Sequence, residues 1–482
     1  MKNNVVLLIK PHYHKSHYNS RWLPTGLAYI SEALDEAGIQ NKIFDLGLGY
    51  KFGDLKRQIE KFNPGLIGIS MMSFGSRFTY QLIEAIKDIY PDVPIVAGGP
   101  HLSTLRDKVL KECAAVDFGI TLEGEETIVE LCRAEKPLRQ IKGLLFRDGP
   151  RGITYTGDRD FINDLDGIGF PRYSKVELDK YPRFINIVTS RGCPYDCIYC
   201  PVRMTIGREF RTRNALSIAE EIQFWFDKGY RDFAVADDNF SLVRERVFAV
   251  CDEIQQRKMK GLKISCGNGL RADKTDKKLL SRMKEVGFWY IAFGVEAGNN
   301  RILSNLRKGE KIETMEQAIK DACDLGYQVT LFFLLGSPGE SRADIEDSVR
   351  LAKKYPVYDA RFYNLIPFPN TPLYDWAFKN NYFRKDPEKF ISEASHWVND
   401  PIFETPEMPF RERKKLYRWA NDQMRWHTFN EKKKCNFDST LDFFHNKGLP
   451  KIISRLCAWL FWNKWIRRIT MFDKLKVILK KE

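Results

Sequence analysis

Long apolar runs are missing from this chain. No stretch approaches the ~20 consecutive apolar residues that a membrane-spanning helix needs, and the apolar run at 5–9 is already followed by Lys10. A run of that length is also too short for the core of a signal peptide. We therefore predict that the protein is neither an integral membrane protein nor a secreted one.

A cysteine framework, solenoid repeats and low-complexity tracts are absent as well. The ten cysteines are irregularly spaced over 482 residues, which argues against a disulfide scaffold and fits a reducing cytoplasm. The hydrophobic share of 43% is large enough for a substantial core, and the length fits two or three domains. We expect a cytoplasmic protein with more than one domain.

Basic and aromatic residues are concentrated at the C-terminal end. Residues 447–482 contain ten Lys or Arg and two acidic residues, and Trp459, Trp462 and Trp465 follow helical spacing within 451–481. A basic amphipathic helix of this kind is typical of peripheral contact with the inner face of a membrane. A helix that packs its tryptophans onto the rest of the protein is the alternative, and both stay open. No RNA-binding module is recognisable, so we do not expect a nucleic-acid partner.

Residues 1–150 alternate short apolar runs with helical patterns. A helix is predicted at 26–37, and strands are predicted at 5–9, 42–45, 66–72, 95–97 and 118–120. This alternation predicts a Rossmann-like, doubly wound parallel sheet of the α/β class, with ligands at the carboxyl ends of its strands.

A second strand–helix series follows a polar connector at 151–183. Its strands are predicted at 185–189, 232–236, 263–266, 290–294, 328–335 and 361–366. Six units are too few for a closed eight-stranded barrel, so we predict a partial barrel over 184–385 with its working face at the strand ends. A mainly helical region is predicted over 386–482.

Three cysteines stand close together just after the first strand of this second series. Cys193, Cys197 and Cys200 have the spacing C-x3-C-x2-C. Three thiolates at this spacing can bind three irons of a cubane cluster and leave the fourth iron open. The alternative is half of a zinc site, but structural zinc needs four ligands and no second pair follows. We predict that these cysteines are the ligands of a 4Fe-4S cluster.

This run, with Tyr199 before its last cysteine, resembles the signature of the radical S-adenosylmethionine (SAM) superfamily. The resemblance implies that the open iron chelates the methionine moiety of SAM. It also implies that one electron from the reduced cluster cleaves the sulfonium, giving a 5′-deoxyadenosyl radical that abstracts hydrogen from unactivated C–H bonds. Such an anaerobic enzyme would draw electrons from a low-potential donor of the flavodoxin or ferredoxin type.

Further segments resemble the SAM-binding positions of the superfamily. In that comparison the acidic pair at 237–238 contacts the amino group of SAM, and Arg271 contacts its carboxylate. Glu296 contacts the ribose of SAM, and Tyr199 lies beside the adenine. Guanidinium suits a carboxylate because it is a bidentate donor, whereas the acidic pair could instead be a helix N-cap. The predicted SAM contacts are Tyr199, Asp237, Asp238, Arg271, Gly294, Glu296 and Ile366.

The N-terminal half resembles cobalamin-binding radical SAM proteins through the segments at 24–34, 98–101 and 122–125. The predicted cobalamin contacts are Thr25, Gly26, Ser70, Met72, Ser73, Gly98, Gly99, Pro100, His101, Glu123, Gly124 and Glu125. The D-x-H-x-x-G motif that supplies an axial histidine in many cobalamin domains is missing. His12, His14 and His17 are candidates for an axial ligand, and surface histidines are the alternative.

The resemblance implies methylation of an unactivated carbon in a small or lipid-like substrate. Non-methylating relatives, namely oxidative cyclases and ring-rearranging or carbon–carbon-coupling enzymes, share the same motifs and remain an alternative. A non-catalytic corrinoid or electron carrier is a more remote alternative, because an intact cysteine triad would be unexpected in such a protein.

Overall fold

The computed structural model describes residues 3–12, 22–149, 152–393, 400–425 and 427. Within them the chain forms an α/β protein with two large sheets, which confirms the predicted fold class. The predicted amphipathic segment at 451–481, together with His14 and His17, lies outside the described residues. No helix in the described part of the chain is long and apolar enough to cross a membrane.

The N-terminal sheet has seven strands in the order β2-β1-β3-β4-β5-β6-β7. Its strands are β1 (Val5–Lys10), β2 (Gln40–Asp45), β3 (Leu66–Ser70), β4 (Ile95–Gly98), β5 (Phe118–Ile120), β6 (Leu144–Arg147) and β7 (Ile153–Tyr155). The first five are parallel, as predicted. The last two are antiparallel and were not predicted, and β7 lies in the segment predicted to be a connector.

Both faces of this sheet are covered, which explains its near-continuous apolar strands. In β1, Leu7 and Ile9 pack into one apolar cluster, whereas Val6 and Leu8 point to the other side, as the two-residue period of a strand requires. The helices of this half are α1 (Thr25–Glu36), α2 (Phe52–Phe62), α3 (Ser76–Ile89), α4 (Pro100–Leu105), α5 (Asp107–Glu112) and α6 (Glu125–Arg133). The cluster that contains Val6 and Leu8 continues into the second sheet, so the two halves share one core.

The second sheet has six parallel strands in chain order, which confirms the partial barrel. They are β8 (Phe184–Ile187), β11 (Asp232–Val235), β12 (Lys263–Leu270), β13 (Phe288–Glu296), β14 (Gln328–Leu335) and β15 (Asp359–Asn364), and a small antiparallel pair, β9 (Ser190–Arg191) and β10 (Arg211–Thr212), follows the first of them. The helices are α7 (Val202–Thr205), α8 (Ala215–Asp227), α9 (Arg244–Gln256), α10 (Lys277–Glu285), α11 (Asn300–Asn305), α12 (Ile312–Asp324) and α13 (Arg342–Lys354).

Helices α14 (Pro372–Lys379), α15 (Pro387–Glu393) and α16 (410–425) follow the barrel. Arg413 in α16 is fully buried and lies at the carboxyl ends of β14 and β15. Its guanidinium donates to the carbonyl oxygens of Leu335, Leu365 and Phe403 at 2.5, 3.1 and 3.1 Å. A Cβ on Gly336 would lie 2.0 Å from Arg413 Cζ, so the glycine makes room for this side chain.

We expect Arg413→Met to lower the free energy of unfolding by about 3 kcal/mol or more, because buried carbonyl groups would lose their donors. The matched control is Arg418→Met, since Arg418 is exposed on the same helix and a surface change of this kind costs at most about 0.5 kcal/mol. Urea denaturation followed by tryptophan fluorescence measures both variants. Equal midpoints would contradict this account of Arg413.

Candidate active site

The three predicted cluster cysteines lie together in the loop between β9 and α7. All three are free, partly exposed thiols. Burial raises the pKa of each thiol. It is the main reason that the pKa of Cys200 rises to about 12, and thiolates at Cys197 and Cys193 would add a smaller effect of the same sign. Thiols so close together ionise readily only beside cations, and metal coordination deprotonates them outright. The loop therefore fits an iron–sulfur cluster.

Gly192 shapes the start of this loop. Its φ is 89°, and a Cβ would lie 1.8 Å from the carbonyl oxygen of Glu209, so only glycine is accommodated. Further along, the amide of Ile198 donates to the carbonyl oxygen of Leu306 at 3.1 Å. The loop is thus fixed by its own backbone and by the segment after α11.

The two residues of the predicted acidic pair, Asp237 and Asp238, lie in different environments. Asp237 is buried and accepts from the amide of Thr189 and the hydroxyl of Ser190, both at 2.6 Å, with Arg246 3.7 Å away. Its carboxylate therefore holds the segment that leads into the cluster loop. Asp238 instead lines a cavity, where the surrounding protein and the charge of Asp237 raise its pKa to about 6.

Asn239 contacts a cluster ligand directly. Its side chain is buried, and Nδ2 donates to Cys193 Sγ at 2.9 Å. Hydrogen bonds to cluster sulfurs are one of the factors that set the reduction potential. No sequence pattern predicts this contact, because an Asn after two acidic residues is common at helix starts and turns.

A buried group of polar side chains surrounds the predicted ribose contact. Glu296 Oε1 accepts from Tyr199 OH at 3.0 Å and from Lys308 Nζ at 3.1 Å. Glu296 has a φ of 66°, and strained backbone of this kind often marks functional sites. A Cβ on Gly294 would lie 2.7 Å from Glu296 Oε1, so the glycine leaves space for this group. Lys308 was missed, because a lysine in a charged Gly-containing turn looks like a solvated residue.

Arg271 joins the same group, and each of its three side-chain nitrogens already donates within the protein. Nη1 donates to the carbonyl oxygen of Lys308 at 2.9 Å, Nη2 donates to that of Gly309 at 3.3 Å, and Nε donates to Asp273 at 3.0 Å. The guanidinium also lies over the ring of Tyr195, 3.4 Å from its centroid. The structure places Arg271 beside the cluster loop as a support for the Lys308 turn.

The segment after β15 contains the last predicted SAM contact, Ile366, which is partly buried. Asn370, in the Pro-Asn-Thr sequence that follows, has a φ of 64°, a left-handed conformation that asparagine tolerates. Asn370 Nδ2 donates to the carbonyl oxygen of Thr104 at 2.7 Å. This segment therefore contacts the N-terminal half.

A cavity of about 430 Å³ lies between the strand ends of the N-terminal sheet and the segments that flank the cluster loop. Nine of the predicted cobalamin contacts line it, namely Thr25, Gly26, Ser70, Gly98, Gly99, Pro100, Glu123, Gly124 and Glu125. Ser190, Arg191 and Asp238 line it from the second half of the chain. The structure thus brings most of the predicted cobalamin contacts and one predicted SAM contact to a single space.

Part of this cavity wall is apolar, formed by strand residues such as Leu8, Val96 and Ile120. At the end of β4, Gly99 has a φ of 98°, and a Cβ there would lie 3.0 Å from the carbonyl oxygen of Met71. Glycine at this point allows a ligand to approach the backbone closely. An apolar wall with a glycine-lined edge suits a large, flat cofactor, so the residues present fit cobalamin.

The remaining three predicted cobalamin contacts lie elsewhere. Ser73 and His101 line a second cavity of about 350 Å³, and Met72 is exposed. His101 pairs with Tyr80 OH through Nε2 at 3.0 Å and with Ser73 Oγ through Nδ1 at 3.3 Å. Burial lowers the pKa of His101 to about 4, so its ring is neutral at physiological pH.

Two arginines that flank the cysteines contact the N-terminal half. Glu123 accepts from Arg191 and Arg211, both at 2.8 Å, and from the amide of Ile162 at 2.8 Å. Glu125 accepts from the second terminal nitrogen of Arg191 at 2.8 Å. Arg191 lies in β9 and Arg211 in β10, so these bonds tie the cavity edge to the cluster loop. No sequence pattern near either arginine indicates that its partner is a glutamate in the N-terminal half.

Family models match both halves of the chain. Residues 187–352 match the Radical SAM superfamily and residues 15–132 match the B12 binding domain. An uncharacterized methyltransferase of Pyrococcus horikoshii is 30% identical over 371 residues, which are 74% of this chain and 79% of that protein. The anaerobic magnesium-protoporphyrin IX monomethyl ester cyclase of Cereibacter sphaeroides is 25% identical over 388 residues, which are 77% of this chain and 63% of that protein.

A solved structure shares the fold across both halves. The radical S-adenosylmethionine methyltransferase TsrM of Kitasatospora setae, with cobalamin and a [4Fe-4S] cluster bound, superposes with a TM-score of 0.68 at 20% identity, covering 86% of this chain and 85% of that one. The cysteine loop, the shared cavity and these matches agree. The chain therefore belongs to the radical SAM superfamily as a cobalamin-binding member, an enzyme that uses a 4Fe-4S cluster, SAM and cobalamin.

Proposed function

We propose that this enzyme methylates an unactivated carbon of a small or lipid-like substrate. The observation that carries the proposal is the shared cavity, which is lined both by the N-terminal strand ends and by Asp238 beside the cluster loop. Transfer of a methyl group to a carbon radical requires the two cofactors to face one space, because reacting atoms must approach to about 3–3.5 Å. The methyltransferase from Pyrococcus horikoshii supports the same reaction type.

When bound, the cluster and cobalamin would supply the electron that cleaves SAM and the methyl group that is transferred. The side chains of this chain hold and orient them. Cys193, Cys197 and Cys200 bind three irons. Asp238 binds the amino group of SAM, since a carboxylate pairs with an ammonium by charge-assisted hydrogen bonds. The buried Asp237 keeps the loop in position rather than contacting the ligand.

Glu296 binds the ribose hydroxyls, and its carboxylate is oriented for this by Tyr199 and Lys308. Lys308 is buried beside Cys197, and its pKa is raised because Glu296 and Glu310 stabilise the charge more than burial destabilises it. The ammonium therefore stays charged next to the cluster loop. Arg271 donates to the carbonyl oxygens of Lys308 and Gly309. Its proposed role is therefore to position Lys308 near SAM, and the predicted contact of Arg271 with the SAM carboxylate is indirect.

A second candidate function is oxidative cyclisation without methyl transfer. The relative from Cereibacter sphaeroides is named as such a cyclase and spans 388 aligned residues. Every residue in the cluster loop and the cavity would serve that chemistry equally well. The two functions differ in their products, because methyl transfer from SAM yields S-adenosylhomocysteine and hydrogen abstraction alone yields 5′-deoxyadenosine.

Methyl transfer can be tested before the substrate is identified. We expect reduced, cobalamin-loaded enzyme given SAM labelled in its methyl group to form about one S-adenosylhomocysteine per bound corrinoid in a single-turnover experiment. The label would be recovered in the cofactor fraction, measured by mass spectrometry. Formation of 5′-deoxyadenosine without S-adenosylhomocysteine would overturn methylation and favour the cyclase.

The three cysteines can be tested one at a time. We expect Cys193→Ala, Cys197→Ala or Cys200→Ala to abolish 5′-deoxyadenosine formation and to lower iron and sulfide content, because a cluster ligand is lost. Cys323→Ala serves as the matched control, since this thiol lies in α12 away from the loop. Full turnover by any of the three variants would refute the ligand assignment.

Gly26 offers a test of the cobalamin site that does not depend on turnover. It lines the cavity, and a Cβ there would meet no atom within 4 Å. We expect Gly26→Phe to occupy the cavity and weaken corrinoid retention about tenfold, which corresponds to about 1.4 kcal/mol, while iron content stays unchanged. Gly53→Phe, at the exposed start of α2, is the control. Equal corrinoid content in both variants would place the cofactor elsewhere.

A further inference from the structure

Two arginines that follow the cysteines and one that follows α11 surround one carboxylate on the cluster loop. Asp196 lies 3.0 Å from Arg203, 3.5 Å from Arg208 and 3.4 Å from Arg307, measured between side-chain nitrogen and oxygen atoms. We call these four residues the arginine patch. Because all three guanidinium groups reach the same carboxylate, they form one continuous surface.

The arginine patch adjoins the cluster loop. Asp196 precedes Cys197 in the chain, and Arg203 lies in α7 just after Cys200. Arg307 follows Leu306, whose carbonyl oxygen accepts from the loop amide of Ile198. The patch therefore lies against the loop that holds the three thiols.

The patch is positively charged and accessible to solvent. The side chains of Arg208 and Arg307 are 56% and 62% exposed, and Asp196 is 38% exposed. Three arginines and one aspartate leave two positive charges, and one remains even if the exposed Glu209 beside Arg208 is counted. Ion pairs at such exposure are worth about 1 kcal/mol or less, so these arginines can exchange Asp196 for carboxylates on another protein.

We propose that the arginine patch is the docking surface for an acidic one-electron carrier protein. The inference rests on the radical SAM activity, which needs an electron delivered to the cluster, and not on the methylation proposed above. In the complex the carrier loses one electron and the cluster gains it, with no group transferred. Complementary charge speeds such encounters and sets their orientation. The patch offers positive charge next to the cluster loop, where an electron has a short distance to travel to the cluster.

The test uses the double variant Arg208→Glu/Arg307→Glu with an acidic flavodoxin and its NADPH-dependent reductase. We expect the affinity for flavodoxin, measured by titration calorimetry at low ionic strength, to fall about tenfold or more. The flavodoxin concentration that gives half-maximal 5′-deoxyadenosine formation would rise by a similar factor. With dithionite, a small reductant that needs no docking surface, the rate would equal that of the unaltered enzyme.

Two further measurements make the outcome decisive. Arg350→Glu reverses a charge on the exposed face of α13 and should leave flavodoxin binding unchanged. Added salt should weaken flavodoxin binding by the unaltered enzyme and have little effect on the double variant, because screening acts on exposed charges. The milder Arg208→Gln/Arg307→Gln variant should give an intermediate affinity.

Some results would overturn the proposal. Unchanged flavodoxin affinity in the double variant would show that the carrier docks elsewhere. An equal loss of the flavodoxin-driven and dithionite-driven rates, with reduced iron content, would show that the arginines only support the loop. Neither result depends on whether S-adenosylhomocysteine is formed. Failure of the docking proposal can therefore be distinguished from failure of the methylation proposal.

Discussion

The buried carboxylate of Glu123 joins the two halves of the molecule. Moving a carboxylate and two guanidinium groups out of water is costly, and the cost is offset only when nearly all of their hydrogen bonds are made. Here Arg191, Arg211 and the amide of Ile162 supply those bonds, and the two arginines hold the pKa of Glu123 below its ordinary value despite burial. The cavity edge and the cluster loop therefore cannot move apart without exposing unpaired charges.

The same principle recurs beneath the cluster loop. Lys308 lies between Glu296 and Glu310, at 3.1 and 3.6 Å, with all three side chains buried. A site whose charged groups are already paired and oriented needs little rearrangement when its ligand arrives. The strained backbone of Glu296 is consistent with this arrangement, since such conformations persist only where the surroundings hold them.

Local patterns predicted much of this architecture. The apolar strands such as β1 and the cysteine spacing are signals carried by adjacent residues, and so the two sheets and the thiol triad were predictable. Strands β6 and β7 were missed because they are short and lie among glycine and charged residues, without the length that identifies a buried strand. Their antiparallel pairing at the sheet edge is set by contacts with β5 that no local pattern reveals.

The contacts within the site were less predictable, because they join residues far apart in the chain. The pairing of Glu123 with Arg191 spans 68 positions, and nothing near either residue indicates the other. Asp237 and Asp238 are adjacent and chemically identical, yet Asp237 is buried and accepts from the amide of Thr189, whereas Asp238 lines the cavity. His101 belongs to the segment 98–101, which resembles cobalamin-binding proteins. It lies at the start of α4, however, where its ring contacts Tyr80 and lines the second cavity.

The buried guanidinium of Arg413 has a consequence for the order of folding during synthesis. The carbonyl groups at the ends of β14 and β15 obtain their donors from a helix that is translated about fifty residues after β15. Chains fold from the N-terminus as they emerge, so the N-terminal sheet can form early. The carbonyl oxygens of Leu335 and Leu365, in contrast, lack these donors until α16 has left the ribosome.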